Sequence, residues 1–285
     1  MYKRIEIGNG QIEIQEHFRS PMVYLDHWAL NDLSLNTTFR DRFINVMNER
    51  AGTLRLSVVN MIEISKQGDK NQVKSILDML RDIEDCGLIN MDPHQVIQKE
   101  NTLVSNPSSI VAVKNPSAEI EIVAAYLVAH NRPATWHVAD IIATAVSEQP
   151  SKHMLKSSTR FLTGMERLLE KGRSTPEYLK KASDRFKKLK LQGPKYQTAT
   201  RELLVMAIDF VLRNTKMKMA DYSEWQDLFH VIVPVSYCDI VMIDRRWKAF
   251  ISQTGFSYPK IARVFDRRSL ERFFHAIEHW DSMTL

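Results

Sequence analysis

Two short apolar runs constrain this chain more than any other feature. Met22-Val23-Tyr24-Leu25 stops at Asp26, and Ile240-Val241-Met242-Ile243 stops at Asp244. Runs this short, apolar without alternation, mark strands buried on both faces, which is the condition of strands in a parallel sheet covered by helices. Each delivers a carboxylate at its carboxyl end. Between them, Thr53-Leu54-Arg55-Leu56-Ser57-Val58 reads as another strand, and Asn60 is placed to cap a helix carrying Glu63. Val73, Ile76, Leu77, Leu80 and Ile83 recur at helical spacing, and Gly87 is expected to end that helix before a strand at Leu88-Ile89-Asn90. Strands alternating with helices in this way predict an α/β fold with a mainly parallel sheet.

Ahead of this block, Arg4-Ile5-Glu6-Ile7 and Gln11-Ile12-Glu13-Ile14 alternate around Gly8-Asn9-Gly10 and predict a β-hairpin. A helical stretch carries Phe39, Phe43 and Met47. From about residue 95 to residue 215 the strand signal vanishes. Ile120, Val123, Ala124, Leu127 and Val128 form one helical stripe, and Leu203, Leu204, Ala207, Ile208, Val211 and Leu212 another, with Pro133 and Pro176 suited to first turns. The α/β pattern returns at Ser223-Glu224-Trp225-Gln226, a capping box opening a helix through Trp225, Leu228, Phe229 and Ile232 that Pro234 is expected to end. Strands at Cys238–Asp244 and Ile261–Phe265 complete the pattern. The division that follows is a discontinuous α/β domain, residues 1–94 and 216–285, interrupted by an α-helical insertion at 95–215.

Composition narrows the function classes. Apolar residues at 44% and charged ones at 26% fit a packed core and not a disordered chain. Cys86 and Cys238, the two cysteines, are too few for a disulfide framework and form no CxxC pair. That points to a reducing compartment and removes a thiolate metal site. The first residues lack an apolar signal region, and no stretch nears the ~20 apolar residues that span a bilayer. A cytoplasmic location without membrane association is expected. The formal charge of +5 is too small to assign a polyanionic partner by itself.

Four acids stand where a parallel sheet exposes its functional edge: Asp26 and Asp244 close strands, and Glu63 and Asp227 lie in early turns of helices. Carboxylates converging there repel one another unless a cation lies between them, and hard oxygen ligands suit Mg²⁺ or Mn²⁺. Each has a plainer role open to it. Asp26 suits a helix cap, Glu63 a solvated helix face, and Asp227 lies opposite the Trp225–Phe229–Ile232 stripe, facing solvent or a cleft. Asp244 precedes Arg245 and Arg246 and suits a surface ion pair.

Val23-Tyr24-Leu25-Asp26, Ser57-Val58-Val59-Asn60-Met61-Ile62-Glu63, and the segment from Asp227-Leu228-Phe229-His230 to Tyr237-Cys238-Asp239-Ile240-Val241-Met242-Ile243-Asp244-Arg245-Arg246-Trp247 resemble the successive acidic motifs of PIN-domain nucleases. In that family an acid on a helix precedes a strand ending in an acid, with an aromatic residue soon after. The resemblance covers roughly residues 20–90 and 220–270. It implies a PIN-like α/β/α sandwich, divalent-metal-dependent hydrolysis of RNA, and catalytic and metal-ligating roles for Asp26, Glu63, Asp227 and Asp244, with Asp239 at a fifth, more variable acidic position. Trp28 stands where the family usually has Asn, Ser or Thr, and Met242 where it usually has Ser or Thr. The stretch between Glu63 and Asp227 is also far longer than a minimal domain of this kind needs.

Between Tyr178 and Tyr196 the bases Lys180, Lys181, Arg185, Lys187, Lys188, Lys190 and Lys195 surround a stripe of Leu179, Ala182, Phe186 and Leu189. This is either a solvated amphipathic face or a rail for phosphates, with Lys187, Lys188 and Lys190 its centre. Arg245 and Arg246, with Arg267 and Arg268, offer a second path. His137 and Asp140, like His27 and Leu30, lie three apart without completing a zinc site, and no Gly-rich phosphate loop is present. The expectation is an endoribonuclease using Mg²⁺ or Mn²⁺, by analogy a toxin or phage-defence effector. A catalytically silent RNA-binding or scaffold protein and a structure-specific DNA nuclease are the alternatives. The sequence leaves open an inhibitor or activator protein and a homo-oligomer.

Overall fold

A computed structural model describes residues 2–8, 11–16, 18–105, 116–117, 119, 137–148, 167, 169–195, 198–214, 217, 219 and 222–280. An antiparallel hairpin, β1 (Tyr2–Gly8) with β2 (Gln11–Glu16), opens the chain as its alternation predicts. The remaining strands, β3 (Met22–Leu25), β4 (Thr53–Ser57), β5 (Cys86–Ile89), β6 (Ile240–Met242) and β7 (Arg263–Phe265), form one parallel sheet in the order β5-β4-β3-β6-β7. The chain therefore builds outward from β3 in one direction, then crosses over and builds from β6 in the other. The crevice at that reversal, between the carboxyl ends of β3 and β6, is where ligands bind in open α/β sheets.

Alternating strand residues feed two cores. Val23 and Leu25, Leu54 and Leu56, and Ile240 and Met242 face one of them. It is closed by α1 (His27–Leu35), α2 (Thr37–Glu49), α4 (Lys70–Asp82), α6 (Val138–Glu148) and α11 (Leu270–Glu278), with Met61 and Ile64 of α3 (Val58–Lys66). Tyr24 and Val241 face the other, closed by α5 (Pro93–Ser105), α7 (Pro176–Gln192), α8 (Thr200–Arg213), α9 (Tyr222–Tyr237) and α10 (Arg245–Thr254). Helices thus lie on both faces of the sheet. Those of the 95–215 stretch share these cores: Val138, Ala139, Ile141 and Ile142 pack with the strands, and His137 Nε2 lies 3.0 Å from the Ile83 carbonyl. The expected stripe at 120–128 and Pro133 lie outside the described residues. Pro176 opens α7, as its fixed φ favours.

Three local expectations are corrected. Ser57, not Asn60, caps α3: its Oγ accepts from Asn60 N at 3.1 Å while Asn60 Oδ1 accepts from Ser57 N at 2.9 Å, so Asn60 is the third helical residue of a capping box. Gly87 ends no helix. Helix α4 stops at Asp82, and Gly87 sits inside β5 because a Cβ there would come within 2.2 Å of the Phe18 ring. Pro234 lies inside α9, which runs on to Tyr237; Val231, Val233 and Val235 are wholly buried around it, and their packing outweighs the lost amide bond.

Candidate functional site

The carboxyl edge of the sheet is assembled locally and then tied together. Asp26 ends β3 and caps α1, its Oδ1 accepting from His27 N at 2.8 Å, while its own amide donates to the Met242 carbonyl of β6 at 2.9 Å. Asn60 Nδ2 donates to the Leu25 carbonyl at 3.3 Å and fixes α3, and with it Glu63, against the same strand end. Asp244 follows β6 and stands at the amino terminus of α10 without a side-chain capping bond. Asp227 comes from α9 on the second core's side. The capping role open to Asp26 and its place among the acids therefore coexist.

Two of the four acids are shifted by their neighbours. Burial raises the Asp26 carboxyl to about 7, with Asp227 and Asp244 adding to the rise and the His27 amide and Trp28 indole opposing it. Burial raises Glu63 to about 8, with Asp26 and Asp227 adding and Lys66 opposing. Glu63 Oε2 is buried without a hydrogen-bond partner. Burial is the larger cause for both, and the neighbouring carboxylates add to it. Arg246 Nη2 lies 3.2 Å from Asp227 Oδ2, and its Nη1 lies 3.6 Å from Glu224 Oε1. The surface ion pair open to Asp244 falls instead on Asp227, and Arg246 turns inward onto these acids.

Asp239 is not part of the group. It precedes β6, and its Oδ2 accepts from Met22 N at 2.7 Å, at the opposite edge of the sheet. The length of β3, about 13 Å at ~3.3 Å per residue, separates it from Asp26. The expected metal role for Asp239 is corrected to a structural one: it pins the amino ends of β3 and β6 together.

The site also contains residues that sequence reasoning missed. His230 of α9 is 2% exposed, and its Nδ1 lies 2.6 Å from Tyr24 Oη and 3.9 Å from Asp26 Oδ1. Burial, with the neighbouring His27 imidazole adding, lowers His230 to about 3, so it is neutral. Asn31 Nδ2 and Gln67 Nε2 both donate toward His27 Nε2 at 3.0 Å, which places the proton of neutral His27 on Nδ1, 3.9 Å from Glu63 Oε2. His230 stood in the quoted motif, yet only a three-dimensional contact distinguishes it from a core histidine. The two family departures also find places: Trp28 flanks Asp26, and Met242 is wholly buried in the first core.

The basic face of α7 forms as its stripe predicts, with Ala182 and Phe186 buried and Lys187, Lys188 and Lys190 exposed. Lys181 pairs with Glu177 at 2.8 Å, and Arg185 Nε donates to wholly buried Asp209 at 2.8 Å. Lys190 lies over Gly255 at the far end of α10, so one ten-residue helix, about 15 Å, separates it from Asp244.

Among the described residues, one group of three or more His, Cys, Asp or Glu side chains has ligand atoms all within 4.8 Å of one another: His275, Glu278 and His279. It lies at the carboxyl end of α11, with His279 the residue that caps it. Glu278 already accepts from Arg42 Nε at 2.7 Å. The acids at Asp26 are spread more widely than that limit. Among the described residues no helix is long and apolar enough to cross a membrane. Compared with protein-family models, curated proteins and solved structures, the chain matches none.

Proposed function

We propose that this chain is a divalent-metal-dependent endoribonuclease with a PIN-like α/β/α fold, acting through Asp26, Glu63, Asp227 and Asp244. One observation carries the reading: at the crevice where the strand order reverses, burial and mutual repulsion push Asp26 to about 7 and Glu63 to about 8. Carboxyls held out of their ionised form are what an uncompensated cation site looks like, and the unpartnered Glu63 Oε2 adds an open oxygen ligand. The donor set is all carboxylate, so it suits Mg²⁺ or Mn²⁺. When bound, such an ion neutralises phosphate charge and lowers the pKa of a water. Asp26, held by the His27 amide, gives the site a fixed oxygen, and neutral His230, bonded to Tyr24, stands beside Asp26 without adding charge. Glu63 is raised further than Asp26 and is suited to accept the proton of an attacking water.

A second reading, a catalytically silent RNA-binding protein of the same fold, draws on Arg246, which already neutralises Asp227 without an ion. Incubating the purified chain with mixed RNA and Mn²⁺, with and without EDTA and beside single-stranded DNA, separates these. Cleavage of RNA that stops in EDTA supports the nuclease. Binding of RNA without cleavage supports the silent reading, and preference for DNA overturns the substrate assignment.

A further inference from the structure

Beside Asp244 a cleft of about 370 Å³ is lined by Trp28, Asp244, Arg245, Asp266, Arg267 and Arg268. That volume suits a mononucleotide. Its charges are unevenly committed. Asp266 is engaged by Lys248 at 3.0 Å and by Ser269. Arg267 donates to Asp32 through Nε and Nη2, both at 2.7 Å, and its guanidinium carbon lies 5.3 Å from the centre of the Trp28 ring. Arg245 and Arg268 are exposed and make no ion pair among the described residues. The amino terminus of α10 opens here too, and Asp244 leaves its first amides uncapped by a side chain. Two uncommitted guanidiniums at a helix amino terminus favour a phosphate. Trp28, half-buried with the Arg267 guanidinium over its ring, lines the same cleft, and an aromatic ring at a cleft wall is a surface against which an unpaired base can stack.

We infer that this cleft holds the nucleotide next to the scissile phosphate, its phosphate on Arg245 and Arg268 and its base on Trp28, so that the substrate is single-stranded RNA. The inference rests on the nuclease reading for the word substrate, but the cleft itself is testable without catalysis. Paired bases are stacked on their neighbours and hide their faces, so a duplex of the same sequence enters poorly.

Two measurements test it. Adenosine 5′-monophosphate and inorganic phosphate are titrated into the protein in EDTA, and KM and kcat are measured with Mn²⁺ on a single-stranded RNA and on its duplex. Arg268→Ala should weaken both ligands and raise KM roughly tenfold with a much smaller change in kcat. Trp28→Leu should weaken the nucleotide roughly tenfold but not inorganic phosphate, and Trp28→Phe should restore most of that loss. Equal cleavage of duplex and single strand, or unchanged KM and nucleotide affinity in Arg268→Ala with an unchanged circular-dichroism melt, overturns the cleft assignment. A protein that cuts no RNA, yet binds the nucleotide in an Arg268-dependent way, overturns the nuclease reading and leaves the cleft standing.

Discussion

At the scale of single residues, the site works by contrast between neighbours. Asp26 carries a partner that fixes it, the His27 amide at 2.8 Å, and charges that oppose it, Asp227 and Asp244. Asp26→Asn keeps an oxygen for the cap and removes the charge. It should abolish RNA cleavage, leave the fold intact and raise the melting temperature of the metal-free protein at pH 8. Near-native cleavage by this variant would remove Asp26 from the site, and unfolding would favour a purely structural role. Tyr24→Phe is a separate probe. It strips the 2.6 Å partner from buried His230 and should cost about 1–3 kcal/mol, read by urea denaturation. The acids were legible because each ends an apolar strand or sits in the first turns of a helix. Tyr24 with His230, and His27 with Glu63, were not, because those pairs lie 206 and 36 positions apart and no local pattern marks a long-range contact. Asp239 misled for the converse reason: it flanks the right strand at the wrong end.

At the scale of elements, continuous apolar runs identified β3 and β6, while the boundaries of other elements depended on side chains whose partners are decided by packing. Ser57 and Asn60 cap reciprocally, and nothing local says which of them starts the helix. Pro234 reads as a stop from its chemistry and is overruled by the burial of the valines around it. Helix α7 is the element where sequence and structure agree best, and it supports two opposite mutational outcomes. Lys187, Lys188 and Lys190 are exposed, so replacing all three with Ala should change stability by no more than ~0.5 kcal/mol. If they guide RNA, the same triple variant should weaken binding at low salt in an Asp26→Asn background. The log–log salt slope should then flatten by about 0.7 per lost phosphate contact. An unchanged slope makes this a solvated face and leaves the arginine cleft as the substrate path. Arg185→Ala on the same helix should instead cost about 2–3 kcal/mol in chemical denaturation. It strands the wholly buried Asp209, at less than the ~3–5 kcal/mol of a fully buried pair because Arg185 is half exposed.

At the scale of the whole molecule, two sequence blocks, one before and one after residues 95–215, meet in one sheet. That the first and last blocks belong together was legible from their shared grammar. The strand order was not, since nothing in a strand names its neighbour, and neither was the sharing of core between strands and α6. The order matters because it brings Asp26 and Asp244 to one crevice, where Asp26 and Glu63 are both buried and raised. The consequence is a stability that depends on pH and on metal together. Asp26 and Glu63 give up protons near 4 when unfolded and near 7 and 8 when folded, so between those values the folded state holds more protons and loses stability as pH rises. His230 and His27 act in the other sense. Their folded values are lowered, so they add stability as pH rises toward 6.5, the unfolded value, and nothing beyond it. The carboxyls therefore dominate from about pH 6.5 to 8. In EDTA the melting temperature should fall across that window, with each group contributing at most about 1.4 kcal/mol per pH unit. Mn²⁺ favours the ionised carboxylates, so it should raise the melting temperature more at pH 8 than at pH 6.5. The Asp26→Asn, Glu63→Gln double variant should show neither the fall nor the growing metal effect. A melting temperature in EDTA that holds level or climbs from pH 6.5 to 8, matched by that double variant, would mean that these carboxyls are compensated by something other than a cation, and Arg246 would be the first residue to remove.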